Sequence, residues 1–153
     1  MSTLIVGIGN TLRGDDGVGP FVIDLLRATG AEGLELRTAM TVLPELAAEL
    51  VGHEAVIFVD ADLRARKVTL RPVHLEGRDG LHRIAPERVV TMARGLGFRG
   101  TAWICSLPVR SMEPGDGLSL DALSAAGRAA ALLLDRLDPA SPANPPGSLR
   151  LSR

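Results

Sequence analysis

Apolar runs and amphipathic stretches alternate along this chain. Five runs read as strands, at Thr3–Ile8, Leu34–Thr38, Ala55–Val59, Lys67–Pro72 and Thr101–Leu107. The stretches between them carry a helical period. Val18, Phe21, Val22, Leu25 and Leu26 recur at i, i+3, i+4, i+7 and i+8, which is one face of a helix. Pro20 suits that helix's first turn, where its missing N–H has no partner in any case. Leu43, Leu46, Ala47 and Leu50 predict a second helix over Leu43–Leu50. A third opens near Pro86, gathers Val89, Val90, Ala93 and Leu96 on one side, and ends at Gly97. The last runs from an N-cap at Ser119 to Leu137. Its spacing turns Leu120, Leu123, Gly127, Ala131 and Leu134 inward, with Gly127 letting the backbone approach the sheet closely.

Strands that alternate with helices predict an α/β three-layer sandwich, a mostly parallel five-stranded sheet flanked by helices. The run at Lys67–Pro72 follows its predecessor after a short polar loop. It is therefore expected antiparallel to that strand, which makes the sheet mixed. Residues 1–137 form one domain on this reading. Residues 138–153 carry Pro139, Pro142, Pro145 and Pro146 among small polar residues without a period, and are expected to be a disordered tail.

Composition narrows the function. A length of 153 residues suffices for a core without staples, and a net charge of −1 argues against nucleic acid or an anionic membrane as partner. The lone Cys105 rules out an internal disulfide and a thiolate zinc cage, and its apolar surroundings make it a small core residue. No signal peptide or membrane-length apolar run is evident, so the expected compartment is the cytoplasm. No strand offers a long hydrophobic edge, and a monomer is expected.

The opening MSTLIVGIGNTLRGDDGVGP sets a strand and a glycine turn against an acidic mouth. Strand–glycine-turn–helix units commonly receive phosphate, which Asp15 and Asp16 would repel. The dinucleotide fingerprint is also incomplete, since Leu12 stands at its third glycine. Open α/β sheets bind ligands beyond the carboxyl ends of their strands. Asn10, Asp15 and Asp16 follow the first strand, Asp60 follows Ala55–Val59, and His82 lies in the loop before the third helix. Singly, these are a helix cap, a turn former and a surface histidine; His53 and His74 are read as surface residues too. Together, two carboxylates and an imidazole make a ligand set for a first-row divalent cation, which would neutralise carboxylates that otherwise repel each other. Asp16, Asp60 and His82 are thus the candidate metal ligands, with Asp16 and His82 expected to be exposed and Asp15 assigned to the helix end.

The same residues carry a resemblance. GIGNTLRGDDGVGP, then VIFVDA at 56–61, then His82 resemble the hydrogenase maturation endopeptidases, which remove a C-terminal extension from the large subunit of nickel–iron hydrogenases. Pro108 and GDGLSLDAL at 115–123 also look like that family, and the resemblance spans residues 2 to about 137. It implies a peptide-bond hydrolase whose partner is the hydrogenase large-subunit precursor. It places both the catalytic and the metal-contacting roles on Asp16, Asp60 and His82. The metal it implies is nickel supplied by the substrate, with another divalent cation able to occupy the site in isolation. The stretch from Thr38 to Leu46 stands where many members carry Asp-Gly-Gly-Thr, and is similar to variants serving soluble, NAD-linked hydrogenases. Gly80 replaces a serine common two positions before the histidine.

Two other readings are weighed against it. A nickel-sensing chaperone would hold the precursor without cutting it, and cleavage by the purified protein separates the two. A peptidyl-tRNA hydrolase also opens with a strand and Gly-x-Gly-Asn, but continues with Pro-Gly and a basic surface, whereas Thr11-Leu12 follow here.

Overall fold

A computed structural model describes residues 2–74, 85–115 and 117–140. The strands are β1 (Thr3–Ile8), β2 (Leu34–Ala39), β3 (Ala55–Asp62), β4 (Thr69–Pro72) and β5 (Thr101–Pro108). The helices are α1 (Val18–Thr29), α2 (Leu46–Leu50), α3 (Pro86–Gly95) and α4 (Leu120–Leu137). The sheet order is β2-β1-β3-β5-β4. All pairs are parallel except β4 with β5, so the sheet is mixed as expected. β4 runs antiparallel to β3 as expected, but β5 inserts between the two and β4 becomes an edge strand. A helical crossover through α3 gives β5 that freedom, which a short loop alone does not reveal.

Strand alternation splits the core into two halves. Ile5, Ile57, Val59, Cys105 and Leu107 face α1 and α4. Leu4, Val6, Ile8, Val56, Phe58 and Ile104 face α2 and α3. Each of these larger apolar side chains contributes about 1.5–3 kcal/mol by leaving water, and together they hold three layers. No helix among the described residues is long and apolar enough to cross a membrane. The expected tail lies outside the described residues from 141 onward.

Helix α4 presents a different face from the one its leucines predict. Ala122, Ala125, Ala126, Ala129, Ala130 and Leu133 are buried, while Leu120 is 83% exposed. Gly127 faces open space, where an added Cβ would meet nothing within 4 Å. Alanines, rather than Gly127, bring this helix close to the sheet. In α3 the expected Val89, Val90 and Ala93 are buried, but Leu96 is exposed at the helix end. The close glycine contact in the fold lies elsewhere. A Cβ at Gly19 in α1 would come within 2.4 Å of the Ile8 carbonyl oxygen and 2.7 Å of that of Val59. A Cβ at Gly7 in β1 would sit 2.5 Å from the Gly19 carbonyl oxygen. Glycine at both positions lets α1 lie directly on β1 and β3.

Candidate active site

The sheet changes direction between β1 and β3. The chain leaves β1 through α1 toward β2 on one side, and returns through α2 to β3 on the other. Such a switch point opens a crevice at the carboxyl ends of the strands. The residues after β1 and at the end of β3 therefore meet there.

The loop after β1 folds back on itself. Gly9, at φ 153°, lies beneath the backbone of Asp16, and a Cβ at Gly9 would fall 1.8 Å from the Asp16 carbonyl oxygen. Asn10 closes a local turn, its Oδ1 accepting from the Leu12 N–H at 2.9 Å. A single 3-10 turn, Gly14–Gly17, then carries both aspartates into α1.

Asp16 is 1% exposed, against the expectation of an exposed ligand. It does not cap α1, whose N-cap is Gly17 without a side-chain bond. Instead its Oδ2 accepts from the Asn10 N–H at 2.9 Å. Its Oδ1 is buried, and nothing among the described residues donates to it. A buried carboxylate oxygen without a partner costs free energy unless a cation or donor arrives from a ligand. That is the property a cation site requires.

Asp60 sits half-buried near the end of β3, beside Ser106 of β5 in register. It shares the side of the strand that carries Val56 and Phe58. The 3-10 turn bearing Asp16 packs against β3, the strand that carries Asp60. His82 lies outside the described residues. Among the described residues no group of three or more His, Cys, Asp or Glu is gathered for a metal. Two carboxylates with one orphaned oxygen fit part of a divalent-cation site, and its completion needs a further ligand.

Asp15 has a larger role than a helix-end charge. Its Oδ1 accepts from the Ser119 N–H at 2.8 Å; its Oδ2 accepts from the Ser119 hydroxyl at 2.9 Å and the Arg110 N–H at 3.2 Å. Burial alone would raise its pKa, but the hydrogen bonds from Ser119, Arg110 and Ser111 outweigh it and hold the carboxyl below the usual range. Ser119 also caps α4, accepting from the Ala122 N–H at 3.1 Å. Asp15 thus ties the loop after β1 to the loop after β5 and the start of α4. A bridge between Arg13 and Gly115 runs alongside.

Among the described residues, neither Cys105 nor His53 points to another mechanism. Cys105 is buried and its thiol is pushed up to about 12 by desolvation, which keeps it from serving as a thiolate nucleophile. His53 pairs with Glu35 at 2.6 Å and precedes β3, at the opposite end of the sheet from Asp60.

Solved structures share this architecture. The hydrogenase maturating endopeptidase HybD from E. coli matches with a TM-score of 0.73 at 18% identity, over 90% of this chain and 92% of that one. A hydrogenase 2 maturation peptidase from a Thaumarchaeota archaeon matches at 0.67 and 26% identity, over 90% and 98%. The nickel–iron hydrogenase maturation protease HycI from Thermococcus kodakarensis matches at 0.73 and 19% identity, over 86% and 89%. The chain has the fold of the hydrogenase maturation endopeptidases. No protein-family model and no curated protein matches it.

Within that fold, the acidic mouth read from the sequence lies at the sheet's switch point. The sequence reading passed over Ser106 beside Asp60 and the Arg110 and Ser119 partners of Asp15. No local pattern marks those partners, since they lie 95 and 104 residues from Asp15.

Proposed function

We propose that this chain is a hydrogenase maturation endopeptidase, which removes the C-terminal extension of a nickel–iron hydrogenase large-subunit precursor. The observation that carries the proposal is the buried Asp16, with an orphaned Oδ1, on a turn packed against the strand that bears Asp60. This acidic crevice occurs in a fold shared with maturation proteases.

Nickel already inserted in the precursor is part of the substrate on this reading. Asp16 and Asp60 would offer it carboxylate oxygens, and His82 an imidazole nitrogen. His82 stands four residues before Pro86. The far end of α3 is fastened at the start of the strands, where Arg94 donates to the Gly100 carbonyl oxygen at 2.6 Å. Its first turn therefore points back toward the strand ends where Asp60 lies. A divalent cation supplies positive charge that polarises a nearby carbonyl or water. The chain's own contribution is to recognise the loaded precursor and to orient the scissile bond; Asp16 and Asp60 are its candidates for taking a proton from the attacking water.

The test is processing of a nickel-loaded precursor by the purified chain. A large subunit shortened at its C-terminus is the expected product. A precursor bound but left intact would make the chain a chaperone rather than a protease.

A further inference from the structure

A charged cleft lies near the carboxyl ends of β3 and β5. Arg66 from the β3–β4 loop, Arg110 from the loop after β5, and Asp121, Ser124 and Arg128 from α4 line a cleft of about 300 Å³ that begins at Pro108. Three guanidinium groups meet one carboxylate there. Arg110 pairs with Asp121, and Arg128 donates to the Ser124 hydroxyl at 2.8 Å. Among the described residues neither Arg66 nor Arg128 has a carboxylate partner. The cleft therefore carries two uncompensated positive charges. Exposed leucines neighbour its lining residues in sequence: Leu63, 54% exposed, stands two positions before Ala65, and Leu120, 83% exposed, stands next to Asp121.

We propose that this cleft is a substrate subsite that takes a carboxylate borne on an extended peptide segment with apolar neighbours. Register sets the backbone separation between Asp60 and Pro108, where the cleft begins. Pro108 pairs with Asp62, two residues beyond Asp60 on the adjacent strand. Two residues along a strand and one step across it amount to roughly 8 Å. An extended peptide covers that distance in two to three residues. A substrate that presents a cation to Asp16 and Asp60, and that crosses the sheet edge toward α4, thus brings a residue a few positions away to the arginines. Guanidinium forks match carboxylates. Asp121 disfavours a dianion such as phosphate, and the neighbouring leucines have no use for a free ion. The identity of the segment as part of the precursor rests on the proposed function; the chemistry of the cleft does not.

The test has a binding arm and a cleavage arm. The binding probe is a fluorescein-labelled decapeptide of alternating leucine and glutamate, compared with its Glu→Gln counterpart, by anisotropy with the full chain. The glutamate peptide is expected to bind about tenfold more tightly. R66A/R128A should remove that preference and leave the glutamine peptide's affinity unchanged, while circular dichroism reports an intact fold. Equal affinity for the two peptides, or an unaffected double variant, overturns the proposal. So does inorganic phosphate that displaces the peptide at concentrations where acetate does not, since the cleft would then be a general phosphate site. In the cleavage arm the double variant should raise KM for the precursor about tenfold. Glutamate-selective binding by a chain that never cuts the precursor would support the cleft and overturn the proteolytic reading instead.

Discussion

Replacing Asp15 by asparagine exchanges one oxygen for an NH2 group and should loosen the tie between the loop after β1 and the start of α4. The carboxylate receives three hydrogen bonds, from the Ser119 N–H, the Ser119 hydroxyl and the Arg110 N–H. An amide in its place has one acceptor and two N–H groups. Turned one way, its NH2 faces the Ser119 N–H; turned the other, it faces the Arg110 N–H. Either way a buried donor is opposed by another donor. Losing a charge-assisted bond and stranding its partner costs about 3 kcal/mol, which lowers Tm by about 6–12 °C in a domain of this size. The effect depends on pH in a definite direction. The folded carboxyl is held below its ordinary pKa, so its stabilisation is complete above the ordinary aspartate value near 4 and is lost as pH falls through the folded value. Thermal melts by circular dichroism should show a constant gap between wild type and Asp15→Asn from pH 8 to 5, closing toward pH 2.5. A gap under 2 °C at pH 7, or one that stays constant into acid, refutes the assignment of Asp15 as the tie between the two loops.

Other substitutions probe the packing and the carboxylate pair. Gly19→Ala drives a methyl into the Ile8 and Val59 carbonyls, backbone atoms that cannot swing aside, and should cost about 2–3 kcal/mol in a urea titration. Gly127→Ala meets nothing and should add about 0.5–1 kcal/mol by the same measurement; a loss would mean that α4 lies closer to its neighbours than described. Asp16→Asn keeps an acceptor for the Asn10 N–H and should melt no lower than wild type, yet a divalent cation that raises the wild-type Tm should leave the variant's unchanged. Equal cation-induced shifts in both proteins would remove Asp16 from the ligand set.

β1, β3 and β5 were legible because each is an apolar run, and β1 begins and ends where the pattern places it, whereas β2 and β4 mix apolar with polar residues. The partner of β4 was not legible, because adjacency along the chain does not reveal an inserted strand. Helix α2 is shorter than its leucine spacing predicts, starting at Leu46 after the Pro44 turn, with Leu43 half exposed. Helix α4 misleads for a physical reason. Large residues dominate a hydrophobic pattern, yet a helix pressed close to a sheet buries its alanines and leaves leucines at the rim. In the candidate site, the strand-end rule places Asp16 after β1 and Asp60 near the end of β3 because it depends only on topology. The burial of Asp16 stays hidden, since it follows from the chain crossing over Gly9. The tie made by Asp15 depends on contacts with the far end of the chain.

Matched samples of large-subunit precursor, nickel-loaded and nickel-free, incubated with the wild-type chain and with Asp16→Asn, test the central claim most directly when the C-terminus is read by intact-mass spectrometry. The account predicts loss of the C-terminal extension in one sample alone, wild type with nickel-loaded precursor. Full-length precursor in every sample, or equal shortening by Asp16→Asn, would contradict it.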